Sequence, residues 1–329
     1  MRKERGKLMS ETTIVHTQER YAVRDAAKEF PMMVVLSFVY VCNAQCPNCP
    51  YNNSDIRSQY RDALVMPEHM FKRIADECGP FGAYIRLSGG GEPMLHPQAV
   101  ELMVYAKRKG AKIGLITNGS RFAEGSLTAL IEAGVDVIEF SVDAPDEATY
   151  TLVRPGLYWA LLNHNVDCAV AIRERLKGKT KIIASIINQK GVDVAAAEQY
   201  WSKRVDKVQV RKYLTWGYTE HKSADPTPYL PVEERIPCPW LFERLNIDSR
   251  GDVTLCGEDI AFSEKFANVM EKTIKEIWHG PEFNHFREKH LSGHGDEISI
   301  CSTCPDWQYR SWQYNYWKVI RDAEQRRKA

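Results

Sequence analysis

The sequence predicts an α/β fold: a partial (β/α)6 barrel followed by a small C-terminal domain built on cysteines. Three observations carry this prediction. Six apolar runs alternate with segments of helical spacing, as in a parallel sheet with helical crossovers. Three cysteines crowd a loop directly after the first run. Four more gather towards the C-terminus and end in C-x2-C.

Residues 1–30 are polar and weakly patterned and read as an N-terminal extension, with a helix expected against the main domain. The barrel is assigned to 31–218, with strands expected in MVVLSFVYV, AYIRLS, AKIGLIT, VDVIEFSV, TKIIASII and DKVQVRKYL. Helical spacing falls at 66–78, 97–109, 123–133, 157–176 and 193–204. Residues 219–237, rich in proline and charge, read as a linker. A second domain is assigned to 238–310, where LNIDSRGDVTLC predicts a hairpin that presents Cys256 and helices are expected at 270–279 and 281–291. Aromatics at helical spacing over 311–329 predict a C-terminal helix covering that domain.

The loop after the first strand, CNAQCPNCPY, holds Cys42, Cys46 and Cys49. Pro47 and Pro50 keep it from continuing as a helix, so it can turn three sulfurs towards one centre. Structural zinc prefers four closed ligands. Three thiolates suit a cubic iron–sulfur cluster with one iron left open for a small molecule.

Polar residues then mark the ends of successive strands, where ligands gather in such sheets. The second strand is followed by Ser88-Gly89-Gly90-Gly91-Glu92-Pro93, whose glycines permit close backbone approach and whose glutamate can accept from an ammonium group. The third strand ends in Thr117-Asn118-Gly119. The fourth ends in Ser141 and Asp143, placed on one face by the strand period. Ser185 lies on the fifth strand, and Arg211 and Tyr213 on the sixth. An arginine inside an apolar strand needs a partner. Two readings of Arg211 stand level: a substrate contact facing the barrel interior, or an ion pair to an outer helix.

The chain is identified at this point as resembling the radical S-adenosylmethionine (SAM) enzymes, whose cysteine motif is C-x3-C-x2-C. Asn48 stands where that family often has an aromatic residue, and Tyr51 is the aromatic at hand. The resemblance implies that Cys42, Cys46 and Cys49 hold a SAM-binding 4Fe–4S cluster. It implies SAM contacts from Tyr51, Gly90, Gly91, Glu92, Thr117, Asn118, Ser141, Asp143 and Ser185. It also implies a low-potential electron donor such as a flavodoxin or ferredoxin.

Cys238, Cys256, Cys301 and Cys304 on spacing alone would suit a zinc ribbon. In a chain with the three-cysteine loop they resemble instead the twitch/SPASM-type auxiliary cluster domain of radical dehydrogenases of the 2-deoxy-scyllo-inosamine dehydrogenase type. A second 4Fe–4S cluster, fully ligated by protein, is then expected. Of nine cysteines only Cys78 and Cys168 remain, and both are expected as buried packing residues on helices.

A formal charge of +1 gives no electrostatic case for nucleic acid or membrane, and the longest apolar run, 32–41, is too short to span a bilayer. No secretory signal is read at the basic start, and free thiols suit a reducing compartment, so the cytoplasm is expected. A full auxiliary cluster can take an electron but cannot bind substrate. The favoured expectation is therefore two-electron dehydrogenation of a secondary alcohol in a sugar or aminocyclitol, started by a 5′-deoxyadenosyl radical. Radical epimerisation of a carbohydrate and modification of a peptide are the alternatives. A metal-binding scaffold without activity would leave Gly90-Gly91-Glu92 unexplained.

Overall fold

The computed structural model describes residues 25–52, 54–123, 125–214, 235, 237–307 and 325. The six expected barrel strands all form: β1 (Met33–Leu36), β2 (Tyr84–Leu87), β3 (Lys112–Thr117), β4 (Val137–Ser141), β5 (Lys181–Asn188) and β6 (Lys207–Lys212). Each pairs in parallel with the next in sequence. The first is much shorter than its apolar run. The Ser37 N–H makes a last ladder bond to the Ile247 carbonyl at 2.9 Å, after which the chain turns away and the Tyr40 N–H donates to the Leu64 carbonyl at 2.8 Å.

The period of two separates two faces. Val34 and Leu36 enter the main core beneath the helices. Met33 and Val35 lie on the opposite, concave face in a smaller cluster with Tyr84, Val137 and Ile183.

Eight helices of the described barrel region follow in order: α1 (Asp25–Glu29), α2 (Ser54–Gln59), α3 (Glu68–Cys78), α4 (Ala99–Arg108), α5 (Ser126–Glu132), α6 (Glu147–Val153), α7 (Trp159–Arg175) and α8 (Val194–Trp201). On α3 the buried residues Met70, Phe71, Ile74, Ala75 and Cys78 make one stripe, as expected of a helix laid on a sheet. Two short helices escaped the sequence reading, α2 and α6. The second is capped by Asp146, whose carboxylate accepts the Thr149 N–H at 2.8 Å.

The cysteine-rich region continues the same sheet. β7 (Arg244–Ile247) pairs in parallel with β1, β8 (Asp252–Thr254) forms the expected hairpin with β7, and β9 (Lys265–Asn268) adds an unexpected third strand. The order is β6-β5-β4-β3-β2-β1-β7-β8-β9, so β6 and β9 are the edges among the described residues. Trp240 and Cys256 join Met33, Val35, Tyr84, Val137 and Ile183, closing the concave face at the strand starts. α9 (Ile274–His279) opens on a capping box between Thr273 and Glu276, α10 (Pro281–Leu291) on a proline in its first turn, and α11 (Ser299–Ser302) carries Cys301.

Cys78 is fully buried, as expected. Cys168 is not, because α7 turns that side outwards: its sulfur is only half-buried and lies 3.5 Å from His164 Nε2. The expected C-terminal helix and most of the linker fall outside the described residues, as does nearly all of the N-terminal extension. No helix among the described residues is long and apolar enough to cross a membrane.

Candidate active site

One cavity of about 810 Å3 occupies the concave face at the strand ends. Cys42, Cys46 and Cys49 border it together with Tyr51, Gly90, Gly91, Glu92, Thr117, Asn118, Ser141, Ser185 and Arg211. Of the site residues expected in the barrel, only Asp143 lies off its wall.

The glycine-rich turn is fixed by backbone packing. A β-carbon on Gly90 would lie 2.1 Å from the Val39 carbonyl oxygen, and one on Gly91 would lie 2.0 Å from that of Val41. The close approach these glycines permit is therefore to the lead-in of the cysteine loop. The Glu92 N–H donates to the Val41 carbonyl at 2.9 Å, completing the junction.

Glu92 is 2% exposed. Its carboxylate accepts from Thr117 Oγ1 at 2.7 Å, from the Asn118 N–H at 2.6 Å and from the Met94 N–H at 3.1 Å. Burial pushes its pKa up against those donors. Asn118 Nδ2 donates to Asn43 Oδ1 at 3.0 Å, and Asn43 Nδ2 to Ser120 Oγ at 2.8 Å, so the third strand's end also grips the cysteine loop. Tyr51, its pKa raised by burial, packs edge-on to Tyr40.

Asp143 departs from expectation because strand geometry stops at Ser141. Its backbone is left-handed (φ 52°), which breaks the alternation that would have put it beside Ser141. Its carboxylate accepts from Arg154 and, at 2.7 Å, from the Ile187 N–H. Arg154 was missed by the sequence reading, yet it borders the cavity and its Nη1 lies 3.5 Å from Cys46 Sγ.

Arg211 borders the cavity, and its ion pair runs to strand β4 and not to an outer helix. Its Nε donates to Ser185 Oγ at 2.8 Å and to Glu139 Oε1 at 3.1 Å, and Arg86 approaches the same carboxylate to 4.0 Å. Burial alone would raise the pKa of Glu139, but the two guanidinium groups outweigh it and hold the carboxyl below its usual range. Arg86 and Glu139 were detectable by the rule applied to Arg211, since both interrupt apolar strands.

Cys42 and Cys49 both sense the charge of Cys46. Burial and the charge of Cys46 push Cys49 up to about 12, and burial with Glu92 and Cys46 raises Cys42. In the second region Cys238, Cys256, Cys301 and Cys304 line one small cavity with Leu241, Leu255 and Trp307. Burial, and then the charges of Cys256 and Cys238, raise Cys301; Cys304 is raised by burial and Cys256. Buried thiols that repel one another as thiolates suit a cationic iron–sulfur core that neutralises them. Among the described residues no three acidic, cysteine or histidine side chains converge at single-ion spacing.

Sequence comparison agrees with this geometry. Residues 36–186 match the radical SAM superfamily, and residues 238–305 match SPASM, an iron–sulfur cluster-binding domain. The chain carries a radical SAM domain followed by a SPASM domain. Together these imply SAM and two 4Fe–4S clusters as its cofactors. A PqqA peptide cyclase of Xanthomonas oryzae pv. oryzae is 25% identical over 318 residues, covering 84% of this chain and 82% of that protein. One from Gluconobacter oxydans is 25% identical, covering 78% and 79%. Among solved structures, Streptococcus suis SuiB bound to precursor peptide SuiA superposes with a TM-score of 0.64 at 13% identity, covering 88% of this chain and 74% of that one. BtrN in complex with AdoMet and 2-DOIA gives 0.54 at 18% identity, covering 83% and 92%. The radical SAM domain thus supplies the large cavity and the SPASM domain closes its floor.

Proposed function

We propose that this radical SAM enzyme modifies a peptide, not the small alcohol favoured from sequence. The observation that carries the proposal is the likeness to peptide cyclases along most of the chain. The cavity adds support. Residues 207–214 line it without interruption, so β6 flanks it along its length, as a site for an extended peptide would need.

In this reading Cys42, Cys46 and Cys49 hold the first cluster and leave one iron for SAM. The Gly90-Gly91-Glu92 turn with Thr117, Asn118, Ser141 and Ser185 would hold the rest of that cofactor. When bound, the reduced cluster and SAM supply a radical able to abstract hydrogen from carbon. The chain's own work is positioning and exclusion of water. Arg86, Glu139 and Arg211 form a fixed polar layer on which a substrate carboxylate or hydroxyl can be oriented. Cys238, Cys256, Cys301 and Cys304 hold the second cluster. Gly257, next to Cys256 in the chain, and Trp240, two residues after Cys238, both line the cavity, so a cluster held there would supply an electron acceptor on that side. A flavodoxin- or ferredoxin-type donor delivers the starting electron.

Having four cysteines in the SPASM domain rather than seven favours a second reading, dehydrogenation of an aminocyclitol or sugar alcohol. One experiment separates the two. Anaerobically reconstituted enzyme is incubated with SAM, reductant and either short peptides or aminocyclitols. Peptide modification predicts 5′-deoxyadenosine together with a peptide lighter by two hydrogens. A ketone from the cyclitol, with peptides left unchanged, would replace it with the second reading.

A further inference from the structure

The four-cysteine cavity contains a polar ring that belongs to no motif. His290, in the last turn of α10, is 3% exposed and borders that cavity. The Cys238 N–H donates to its Nδ1 at 3.3 Å, and its Nε2 lies 3.4 Å from Cys301 Sγ. These two contacts determine the tautomer. A ring nitrogen that accepts a backbone N–H carries no proton, so in the neutral ring the proton sits on Nε2. That N–H points at the Cys301 sulfur. Arg235 Nη1, donating to the Cys301 carbonyl at 2.8 Å, fixes the same residue from its backbone side.

We propose that His290 is a positioning residue of the auxiliary cluster: it ties Cys238 to Cys301 and donates an N–H···S hydrogen bond that raises the cluster's reduction potential. The reasoning is electrostatic. Reduction adds negative charge that spreads onto the ligand sulfurs, and a donor aimed at one of them stabilises the reduced state more than the oxidised one. Four thiolates already complete a four-iron cube, and Nδ1 is occupied, so the ring is placed as a donor and not as a ligand. A centre made easier to reduce is suited to accepting an electron from the adjoining cavity.

The inference rests on the four cysteines ligating that cluster, which replacing Cys238, Cys256, Cys301 and Cys304 together by Ala tests by itself. If that variant keeps all of its auxiliary iron, the ligand assignment fails and the inference fails with it. The direct test uses the full chain with Cys42, Cys46 and Cys49 replaced by Ala, so that only the auxiliary cluster is titrated. Potentiometry followed by electron paramagnetic resonance should show His290→Phe shifted about tenfold towards the oxidised form, about 59 mV for a one-electron couple. His290→Gln, which keeps an N–H donor, should recover most of the shift. Equal potentials in all three proteins overturn the proposal. Should the Phe variant fail to assemble, 15N-histidine labelling of the parent decides. A weak nitrogen coupling to the reduced cluster supports the hydrogen bond; a strong coupling of direct ligation, or none, refutes it.

Discussion

The guanidinium of Arg154 lies 3.5 Å from the sulfur of Cys46, across 108 residues of chain. It comes from the end of α6, the short helix after β4, and its other nitrogens are held by Asp143. The fourth strand's loop therefore clamps the cysteine loop of the first. Removing the cation leaves Asp143, which is 1% exposed, as an uncompensated buried carboxylate.

Arg154→Met should accordingly cost about 3–5 kcal/mol, the usual penalty for breaking a buried pair from one side. Urea unfolding of the metal-free chain measures it. Adding Asp143→Asn should recover a large part of the loss, and iron uptake at the first site should recover with it. A double variant no more stable than the single one would show that the pair is not the source.

Gly91→Ala pushes a methyl to 2.0 Å from the Val41 carbonyl oxygen, a distance that backbone cannot absorb without moving. The Glu92 turn should separate from the cysteine loop. We expect SAM binding by calorimetry to weaken at least about tenfold, the equivalent of 1.4 kcal/mol, while circular dichroism stays unchanged.

Arg211→Met tests the polar layer. The proposal predicts a KM for the modified substrate raised by about tenfold or more, the loss of a charged hydrogen bond. Slow cleavage of SAM without substrate should continue as before. Equal loss of both reactions would move Arg211 from the substrate to the scaffold.

Asp248, in the hairpin between β7 and β8, gives a pH signature. Burial first, and then Asp252, push its pKa up to about 6 from the ordinary 3.8. The folded state thus binds the proton more tightly than the unfolded chain. Its stabilising effect is fully present below about pH 4 and is lost as pH rises through 6. Asp248 Oδ1 accepts the Arg250 and Asp252 N–H groups at 2.8 and 2.9 Å, which an asparagine oxygen can also do. Asp248→Asn should therefore stabilise the metal-free chain at pH 7 by on the order of 1–3 kcal/mol and flatten its stability between pH 4 and 6.

The barrel strands and the polar residues at their ends were legible because both are local patterns: an apolar run, then a turn bearing glycine or a short polar side chain. Asp143 was misplaced because the alternation rule was carried two residues past the strand, into left-handed backbone. Arg86 and Glu139 went unmarked although each interrupts an apolar strand as Arg211 does. Arg154 and His290 carry no local sign at all, since what gives each its role is a sulfur far away in sequence. The pairing of β7 with β1 is of the same kind. Substrate class was the weakest reading, because cysteine number bears on electron routing and not on what the cavity admits.

That last pairing has a consequence for how the protein is made. β1 leaves the ribosome early, but its neighbour β7 arrives only after a further two hundred or so residues, roughly 10–40 s later at ordinary translation rates. During that interval one side of β1 is a bare hydrogen-bonding edge of wholly apolar sequence, MVVL, open to pairing with a neighbouring nascent chain. Expression that slows initiation relative to elongation, or that supplies chaperone, should raise the yield of soluble protein even before any iron is inserted.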